Sequence, residues 1–259
     1  MQTKEPKYFR IRANEEKIKF IIEKTDISAE IILKAQKVAV QNPYHGFGHE
    51  LGVTESGIMI AEACGCNRYD INTITLALLF HDADHRGIHN PEDEERAAIA
   101  MMSSLSKKDL KICGVSPILA QQRIRDFILS TRFSVHGKSG DLGVCIVQDA
   151  DIASIGRGPE YWLWATMGLV DEFNNQREKP LTPFNFIHTE QVKFLEVLES
   201  SSINGEIFLT SGARKIFYDP YESLETMLSW PEEAIDWAYS VRFEDLTFEE
   251  FQEGLNKII

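Results

Sequence analysis

The chain has 259 residues, of which 43% are hydrophobic and 26% charged, and its formal net charge is −13 at pH 7. This composition is typical of a globular protein with enough apolar residues for a substantial core. A chain this acidic is a poor candidate for binding duplex nucleic acid along its backbone, because that function requires clustered Lys and Arg. No cysteine pair has zinc-site CxxC spacing, so we interpret the four cysteines as reduced thiols: Cys64, Cys66, Cys113 and Cys145.

The first residues, MQTKEPKYFRIRANEEK, are charged and contain no apolar signal-peptide core. The chain has no run of about 18 apolar residues, so no membrane span is expected. We therefore predict a cytoplasmic protein whose partner is a small molecule rather than duplex nucleic acid or a membrane. The oligomeric state stays open.

Apolar residues recur mostly at helical spacing. After a polar lead-in over residues 1–14, two short helices are predicted between residues 15 and 39, with a break near Asp26 and Ser28 as a cap. Residues 86–94 are predicted to form a polar loop, residues 134–140 a turn and residues 177–187 an irregular connection. The longer helices are predicted over residues 44–64, 71–80, 95–104, 118–133 and 161–176, and from residue 188 or 189 onwards.

Two segments are harder to assign. The β-branched residues of 142–156 would suit a strand, but the surrounding helices favour a buried helix. Residues 200–219 could hold a short hairpin, and residues 221–230, 232–241 and 247–259 read as amphipathic helices. The predicted fold class is all-α, as a single domain over residues 1–259.

Histidine is concentrated in one stretch. Residues 42–90 contain five of the seven histidines: His45, His49, His81, His85 and His89. Residues four apart lie on the same face of a helix, and this spacing relates His45 to His49 and His81 to His85. Histidine is also the commonest metal ligand in proteins, so the stretch predicts a metal site.

A metal site of this kind needs carboxylates as well as imidazoles. Asp82 directly follows His81 at the end of a predicted helix, where the two side chains can converge on one ion. A further carboxylate must come from elsewhere in the chain. Asp149 and Asp151 are both candidates, because acids in an otherwise apolar segment are expected to have partners.

The order His…His-Asp…Asp resembles the HD-domain metal-dependent phosphohydrolases. Within them, four segments resemble motifs of the class I cyclic nucleotide phosphodiesterases, in the same order over residues 42–198. NPYHGFGHELGV resembles YHNxxHAxxV, and FHDADHRGIHN resembles HDxxHPGxxN. VQDADIASIGRGPEYWLW resembles ADLSNPTKPxxxxxxW, and LTPFNFIHTEQVKFLEV resembles SPxxDxH…SQVGFIDF. Residues 200–259 match no motif.

The resemblance implies a helical domain and two divalent ions. The tighter ion, Zn²⁺ or Mn²⁺/Fe²⁺, would be held by His49, His81, Asp82 and Asp151, since the register of the third motif selects Asp151 over Asp149. Asp82 would bridge to a second, more hydrated Mg²⁺ or Mn²⁺. A hydroxide between the ions would attack phosphorus.

The remaining roles are also implied by the resemblance. His45 would protonate the leaving oxygen, and His85 would line the water shell of the second ion. Glu95 would be an acidic residue near the metals. The substrate contacts would be Gln191 at the base edge, Phe194 stacked on the base, and Tyr44 from the first motif.

The chain departs from the motifs at several positions. Gly46 and Glu50 stand where Asn and Ala are usual, and Arg86 replaces Pro. Ala97-Ala98 replaces a double histidine, and Thr131-Arg132 replaces Thr-Asp. These departures fall on the second ion's surroundings and the substrate contacts.

The sequence therefore predicts a phosphodiesterase that opens a 3′,5′-cyclic nucleotide, or a related cyclic nucleotide signal, to a nucleoside monophosphate. One alternative is an HD-type nucleotidase or dNTP phosphohydrolase, which would need a basic triphosphate cradle from scattered residues such as Arg86, Arg132 and Arg157. A second alternative is a nucleotide-binding domain without hydrolysis. Base preference stays open, because a glutamine amide can rotate to suit adenine or guanine.

Overall fold

The structure is a computed structural model that describes residues 13–86, 92–202, 204–242 and 246–259. The predicted lead-in up to residue 12 and the centre of the predicted polar loop, with His89, lie outside the described residues. Within the described ranges the chain forms helices and no strands, so the predicted all-α fold class is confirmed. None of the described helices is long and apolar enough to cross a membrane.

The helices follow one another with short connections. They are Asn14–Lys24 (α1), Ala29–Val38 (α2), Phe47–Ala63 (α3), Arg68–Phe80 (α4), Asp93–Ser104 (α5), Pro117–Ser130 (α6), Leu142–Asp151 (α7), Pro159–Asn174 (α8), Pro183–Phe186 (α9), Val192–Ser201 (α10), Ser211–Ile216 (α11), Pro220–Leu228 (α12), Glu232–Ser240 (α13) and Phe248–Leu255 (α14). Short 3-10 segments occur at Asp109–Cys113, Phe133–Val135 and Ala153–Gly156, and a π-helical turn at Ile187–Gln191 joins α9 to α10.

The centre of the fold is the packing of α3 against α4 and α7. Every residue of α4 from Ile71 to Phe80 is buried, which explains its continuous apolar sequence. At Gly57 in α3, an added Cβ would overlap the Leu78 side chain and touch Ala150 of α7. Glycine at this position therefore lets the three helices that carry the predicted metal ligands approach closely.

The helix boundaries follow local capping chemistry. The Ser28 hydroxyl accepts a hydrogen bond from the Ile31 amide at the start of α2, as predicted. Residues 142–151 are helical rather than extended, which confirms the choice of a buried helix.

Two local predictions were wrong. The irregular connection ends at Thr182, because its side chain caps α9 and Pro183 occupies the first helical position, which proline favours. The predicted hairpin over residues 200–219 does not form; residues 211–216 are helical. The amides of Leu209 and Thr210 donate to the Asp149 carboxylate, so they need no partner strand.

The C-terminal helices pack on the rest of the chain. α11 contacts α3, while α12, α13 and α14 contact α8. Asp171 of α8 accepts hydrogen bonds from Tyr239 and from Arg242, whose Nε lies 2.7 Å away. Residues 200–259, which match no motif, thus pack against α8 and help to hold it in place.

Candidate metal centre and substrate pocket

Three helix ends carry the predicted metal ligands. His49 lies in the first turn of α3, His81 follows the last residue of α4, and Asp151 is the last residue of α7. Because α3 packs against both other helices, these side chains and Asp82 meet at one point although they are up to about one hundred residues apart in sequence.

The donor atoms are close together. His81 Nε2 lies 3.1 Å from Asp82 Oδ2 and 3.2 Å from Asp151 Oδ1. His49 Nε2 lies 3.4 Å from Asp82 Oδ2 and 3.9 Å from Asp151 Oδ1. Ligand atoms of His49, His81 and Asp82 fall within 4.8 Å of one another, a spacing at which they can share one ion.

The donor set fits a divalent cation. His81 Nε2 and Asp82 Oδ2 are buried, and neither has a hydrogen-bond partner among the described residues. The other ring nitrogen of His81, Nδ1, lies 2.8 Å from the Leu78 carbonyl oxygen, which favours the tautomer with a free lone pair on Nε2. Two imidazoles with two carboxylates are ligands that zinc and similar ions prefer.

Electrostatics at the cluster favour added positive charge. Burial lowers the pKa of His49 to about 4, so its ring is neutral and able to coordinate. Burial opposes ionisation of Asp82, yet the adjacent His81 holds the pKa of that carboxyl well below its usual range. Burial likewise opposes a charged His81, but the carboxylates of Asp82 and Asp151 raise its pKa overall, so a metal ion would have to displace a proton from Nε2.

Asp149 and Asp151 have different surroundings. Asp151 lies beside the two histidines, whereas Asp149 is fully buried against the backbone of Leu209 and Thr210. Burial raises the pKa of Asp149 to about 7, although the amides that it accepts from oppose this. The structure therefore gives Asp149 a structural contact and places Asp151 with the ligands.

His45 is held by a carboxylate that the sequence analysis did not single out. Its Nδ1 lies 2.6 Å from Glu172 Oε2, and Glu172 Oε1 accepts from the amides of Tyr44 and His45. Burial lowers the pKa of His45, but the Glu172 hydrogen bond and the nearby carboxylates raise it overall. At Gly168, one turn before Glu172, an added Cβ would lie 2.5 Å from the Pro43 carbonyl oxygen, so glycine permits this approach of α8.

His85 stacks on His45, with ring centroids 4.2 Å apart and planes 15° from parallel. Its Nε2 lies 3.4 Å from Asp93 Oδ2. Burial and the neighbouring His45 lower the pKa of His85 to about 4, so the two stacked rings differ in their protonation tendency. Tyr44 packs its ring on His45 and His49, with centroids 4.8 Å and 4.6 Å away.

The cluster opens into a cavity of about 690 Å³, a volume typical of a small-molecule site. All the predicted site residues except Glu95 line it. Glu95 pairs instead with Arg132, and its neighbour Glu94 reaches the cavity and accepts from Arg132 Nε at 3.2 Å. Burial raises the pKa of Glu94, and the charge of Asp151 adds to the effect.

The cavity is also lined by an amide and two aromatic rings. Trp162 Nε1 donates to Gln191 Oε1 at 2.9 Å, and both side chains are buried. Phe194 stacks on Phe133 with centroids 5.3 Å apart. Gln191 ends the π-helical turn, an irregularity that often marks functional positions.

The departures from the motifs have distinct surroundings. Glu50 is 1% exposed, neither carboxyl oxygen has a partner among the described residues, and burial raises its pKa to about 8. The Arg86 side chain is 65% exposed and lies 3.7 Å from Asp84. Arg157 is buried against Glu55 and Ser56; it does not line the large cavity, but it lines a smaller neighbouring pocket that shares His49 and Asp151 with it.

Sequence reasoning missed four residues that shape the site: Glu172, Asp93, Trp162 and Phe133. Glu172 had a usable signal, because it is an acid in the otherwise apolar helix YWLWATMGLV-DEF. Trp162 lies in a largely apolar helix, where packing is the default expectation, and its indole N–H donor to Gln191 depends on a contact across 29 positions. Asp93 and Phe133 carried no comparable signal.

Neither a family model nor a curated protein sequence matches the chain. Solved structures do. The phosphodiesterase domain of Salpingoeca rosetta rhodopsin phosphodiesterase superposes with a TM-score of 0.57 at 15% identity, covering 93% of this chain and 89% of that chain. LmjPDEB1 in complex with IBMX superposes with a TM-score of 0.50 at 15% identity, covering 79% and 82%.

The fold is that of a phosphodiesterase catalytic domain. The resemblance noted in the four motifs is thereby confirmed at the level of architecture. At 15% identity the similarity carries the fold alone, so the activity has to be argued from this chain's own residues.

Proposed function

We propose that this protein is a metal-dependent phosphodiesterase that hydrolyses a 3′,5′-cyclic nucleotide, or a related cyclic nucleotide signal, to a nucleoside monophosphate. One observation carries the proposal. Two histidines and two aspartates converge in the wall of a cavity that is also lined by a buried amide and an aromatic pair. Such a cavity suits a ligand with phosphate at one end and a base at the other.

In this proposal His49, His81, Asp82 and Asp151 hold the tighter divalent ion, and Asp82 also contacts a second ion. Bound divalent ions supply Lewis acidity toward phosphate oxygens and lower the pKa of water. The donor types suit zinc, manganese or iron at the tight position and magnesium or manganese at the second.

His45 is the proposed proton donor to the leaving oxygen. Its ring lies in the cavity wall, and Glu172 both orients the ring and favours its protonated form. His85, stacked on it and held by Asp93, keeps the neutral form and contributes to the second ion's surroundings.

Gln191 is the proposed contact to the base edge, with Phe194 stacking on the base and Tyr44 closing the wall beside the histidines. Because an indole N–H can only donate, Trp162 fixes Gln191 with Oε1 toward itself. The amide N–H groups are then oriented toward the cavity, which favours a base with a carbonyl acceptor, such as guanine, over adenine.

A dNTP phosphohydrolase is the first alternative. Of the three arginines considered for a triphosphate cradle, only Arg132 lines the large cavity; Arg86 is exposed, and Arg157 is buried in a smaller neighbouring pocket, where Glu55 and Ser56 hold its guanidinium. This distribution favours a single phosphate. A nucleotide-binding domain without hydrolysis is the second alternative, and the complete set of four donors argues against it.

The proposal also treats residues 1–259 as one catalytic unit. The C-terminal helices contact α8, which carries Glu172, and α11 contacts α3, which carries His49.

The test is hydrolysis of a panel of cyclic AMP, cyclic GMP, cyclic pyrimidine nucleotides, cyclic dinucleotides, dNTPs and nucleoside monophosphates. Each is incubated with magnesium, manganese or zinc, beside an Asp82→Ala variant. Metal-dependent opening of a cyclic nucleotide that the variant lacks supports the proposal. Turnover of dNTPs or monophosphates alone would replace it with the first alternative, and metal binding without any turnover would favour the second.

A further inference from the structure

Positive charge is scarce around the large cavity. Among the described residues that line it, Arg132 is the only arginine and Lys193 the only lysine. The Lys193 side chain is 65% exposed and its Nζ lies 3.4 Å from Glu190 Oε1. Arg132 is the better placed of the two, since its side chain is 31% exposed in the concave wall.

Two acids hold the Arg132 guanidinium in place. Nε donates to Glu94 Oε2 at 3.2 Å, and Nη2 pairs with Glu95. Both acids belong to the first turn of α5, where the helix dipole favours negative charge. They occupy the Nε–Nη2 edge of the planar fork, and no described residue accepts a hydrogen bond from Nη1.

The position of Arg132 relates it to both ends of the cavity. The next residue, Phe133, stacks on Phe194 at the base end. Glu94, the ion-pair partner of Arg132, lines the cavity together with the metal ligands Asp82 and Asp151. Arg132 is therefore linked to the aromatic pair through its chain neighbour, and to the metal ligands through Glu94, whose pKa is raised by burial and, because its carboxyl is close enough to Asp151, also by the Asp151 charge.

We propose that Arg132 binds a non-bridging phosphate oxygen of the substrate through Nη1, and retains the same contact in the nucleotide product. This inference rests on the proposed function and names a further substrate-binding residue for it. A guanidinium is suited to phosphate because its donors lie in a rigid plane and its charge is permanent. In a chain of net charge −13, a fixed cation also offsets the repulsion that an anionic substrate meets in a cavity lined by carboxylates.

The test compares Arg132→Gln and Arg132→Lys with wild type, with Arg125→Gln as the matched control. Arg125 is a half-exposed arginine of α6 paired with Asp126, so its loss changes the net charge equally but leaves the cavity wall intact. Binding of inorganic phosphate to the metal-loaded proteins is measured by calorimetry, and KM and kcat are measured on the cyclic nucleotide that is turned over.

The expected result is a loss of roughly 10- to 100-fold in phosphate affinity for Arg132→Gln, the range for removing a hydrogen bond to a charged group. The loss should appear in KM more than in kcat. Arg132→Lys keeps the charge without the planar fork, so it should lie between Arg132→Gln and wild type, and Arg125→Gln should match wild type.

A Glu95→Gln variant separates binding from a merely structural role. It removes one of the two carboxylates that offset the charge of the Arg132 guanidinium, so phosphate affinity at Nη1 should rise; a structural ion pair would predict no change in affinity and a lower melting temperature alone. This variant also keeps the test decisive if Arg132→Gln fails to fold.

The inference is overturned if wild type binds no phosphate, or if Arg132→Gln binds it as wild type does. Failure of the proposed function is distinguishable, since it would show as absent cyclic-nucleotide turnover with Arg132-dependent phosphate binding retained. The opposite pattern, turnover with phosphate binding and KM indifferent to Arg132, would remove the inference and leave the function.

Discussion

At one end of the cavity, three packed α-helices bring their termini together; at the other, the lining residues come from a π-helical turn and a 3-10 turn. His81 is 2% exposed and sits against the most buried helix of the fold, whereas Phe133 is 40% exposed. Residues on rigid, packed elements can be held to the tolerance that metal coordination requires.

This contrast separates two requirements of the site. The metal end depends on backbone positions that packing of α3, α4 and α7 determines. The base end depends on pairwise side-chain contacts: Trp162 with Gln191, which are both buried, and Phe194 with Phe133, which is 40% exposed. Mutations should therefore abolish activity at the first end and change selectivity at the second.

The largest effect is expected at Asp82. Asp82→Asn keeps the shape but loses a charged ligand shared with both histidines, so kcat should fall at least about 1,000-fold, since a bound metal supplies several kcal/mol of stabilisation. Metal content by mass spectrometry should fall in parallel. Asp84→Asn is the matched control, because Asp84 is half-exposed and its positive φ of 57° is one that Asn tolerates. Equal metal content in Asp82→Asn and wild type would contradict the assignment.

The substitution Glu172→Gln should have the next largest effect on activity. The pKa of His45 is raised overall by Glu172, so the substitution lowers it. A general acid must be protonated, so the alkaline limb of the kcat profile should move to lower pH, with kcat reduced roughly 10- to 100-fold. Exposed Glu178→Gln is the control. A pH profile unchanged in Glu172→Gln would show that His45 does not donate the proton.

The substitutions Asp151→Asn and Asp149→Asn should have different effects, the first on metal affinity and the second on folding stability. The first should weaken metal affinity roughly 10- to 100-fold. The second should leave metal affinity unchanged but lower the free energy of unfolding by about 1–3 kcal/mol, because Leu209 and Thr210 donate to different carboxylate oxygens and the NH2 group of Asn cannot accept in place of one of them. Metal titration and urea unfolding distinguish them, and reversed results would exchange the two roles.

At the base end, Phe194→Ala should raise KM about 10-fold, the magnitude of one base–aromatic stacking contact. Phe194→Leu retains apolar volume without a ring face and serves as the comparison. Equal KM values for the leucine variant and wild type would indicate that Phe194 contributes packing alone.

The smallest effect is expected for Trp162→Phe. Loss of the indole N–H frees the Gln191 amide to rotate, so the preference for cyclic GMP over cyclic AMP in kcat/KM should fall by a few-fold, as expected for one neutral hydrogen bond of about 1 kcal/mol. Trp164→Phe is the control, since Trp164 packs on Tyr161 and Phe248. If neither Trp162→Phe nor Trp164→Phe changes the ratio of kcat/KM for cyclic GMP to that for cyclic AMP, Trp162 has no role in base selection.

Much of the fold was predictable because local rules decide it. The break near Asp26, the Ser28 cap and the buried helix before His81 all follow from spacing and capping residues. The predicted hairpin failed because a distant partner decides: residues 209 and 210 bond to Asp149 instead of to a second strand. The start of α9 was missed although its signal, the Thr182 cap followed by Pro183, is local.

The sequence by itself determined the residue types of the predicted metal ligands and their spacing. Adjacency places His81 and Asp82 at one helix end, but the shared helical face predicted for His45 and His49 does not form, because α3 begins at Phe47 and His45 precedes it. Only the tertiary structure decided which aspartate joins them, which acid orients His45, and that Arg132 lies in the cavity wall while Arg157 does not. These outcomes depend on contacts between residues from 38 to 127 positions apart, such as Arg132 with Glu94 and His45 with Glu172, and helix packing rather than local periodicity brings such residues together.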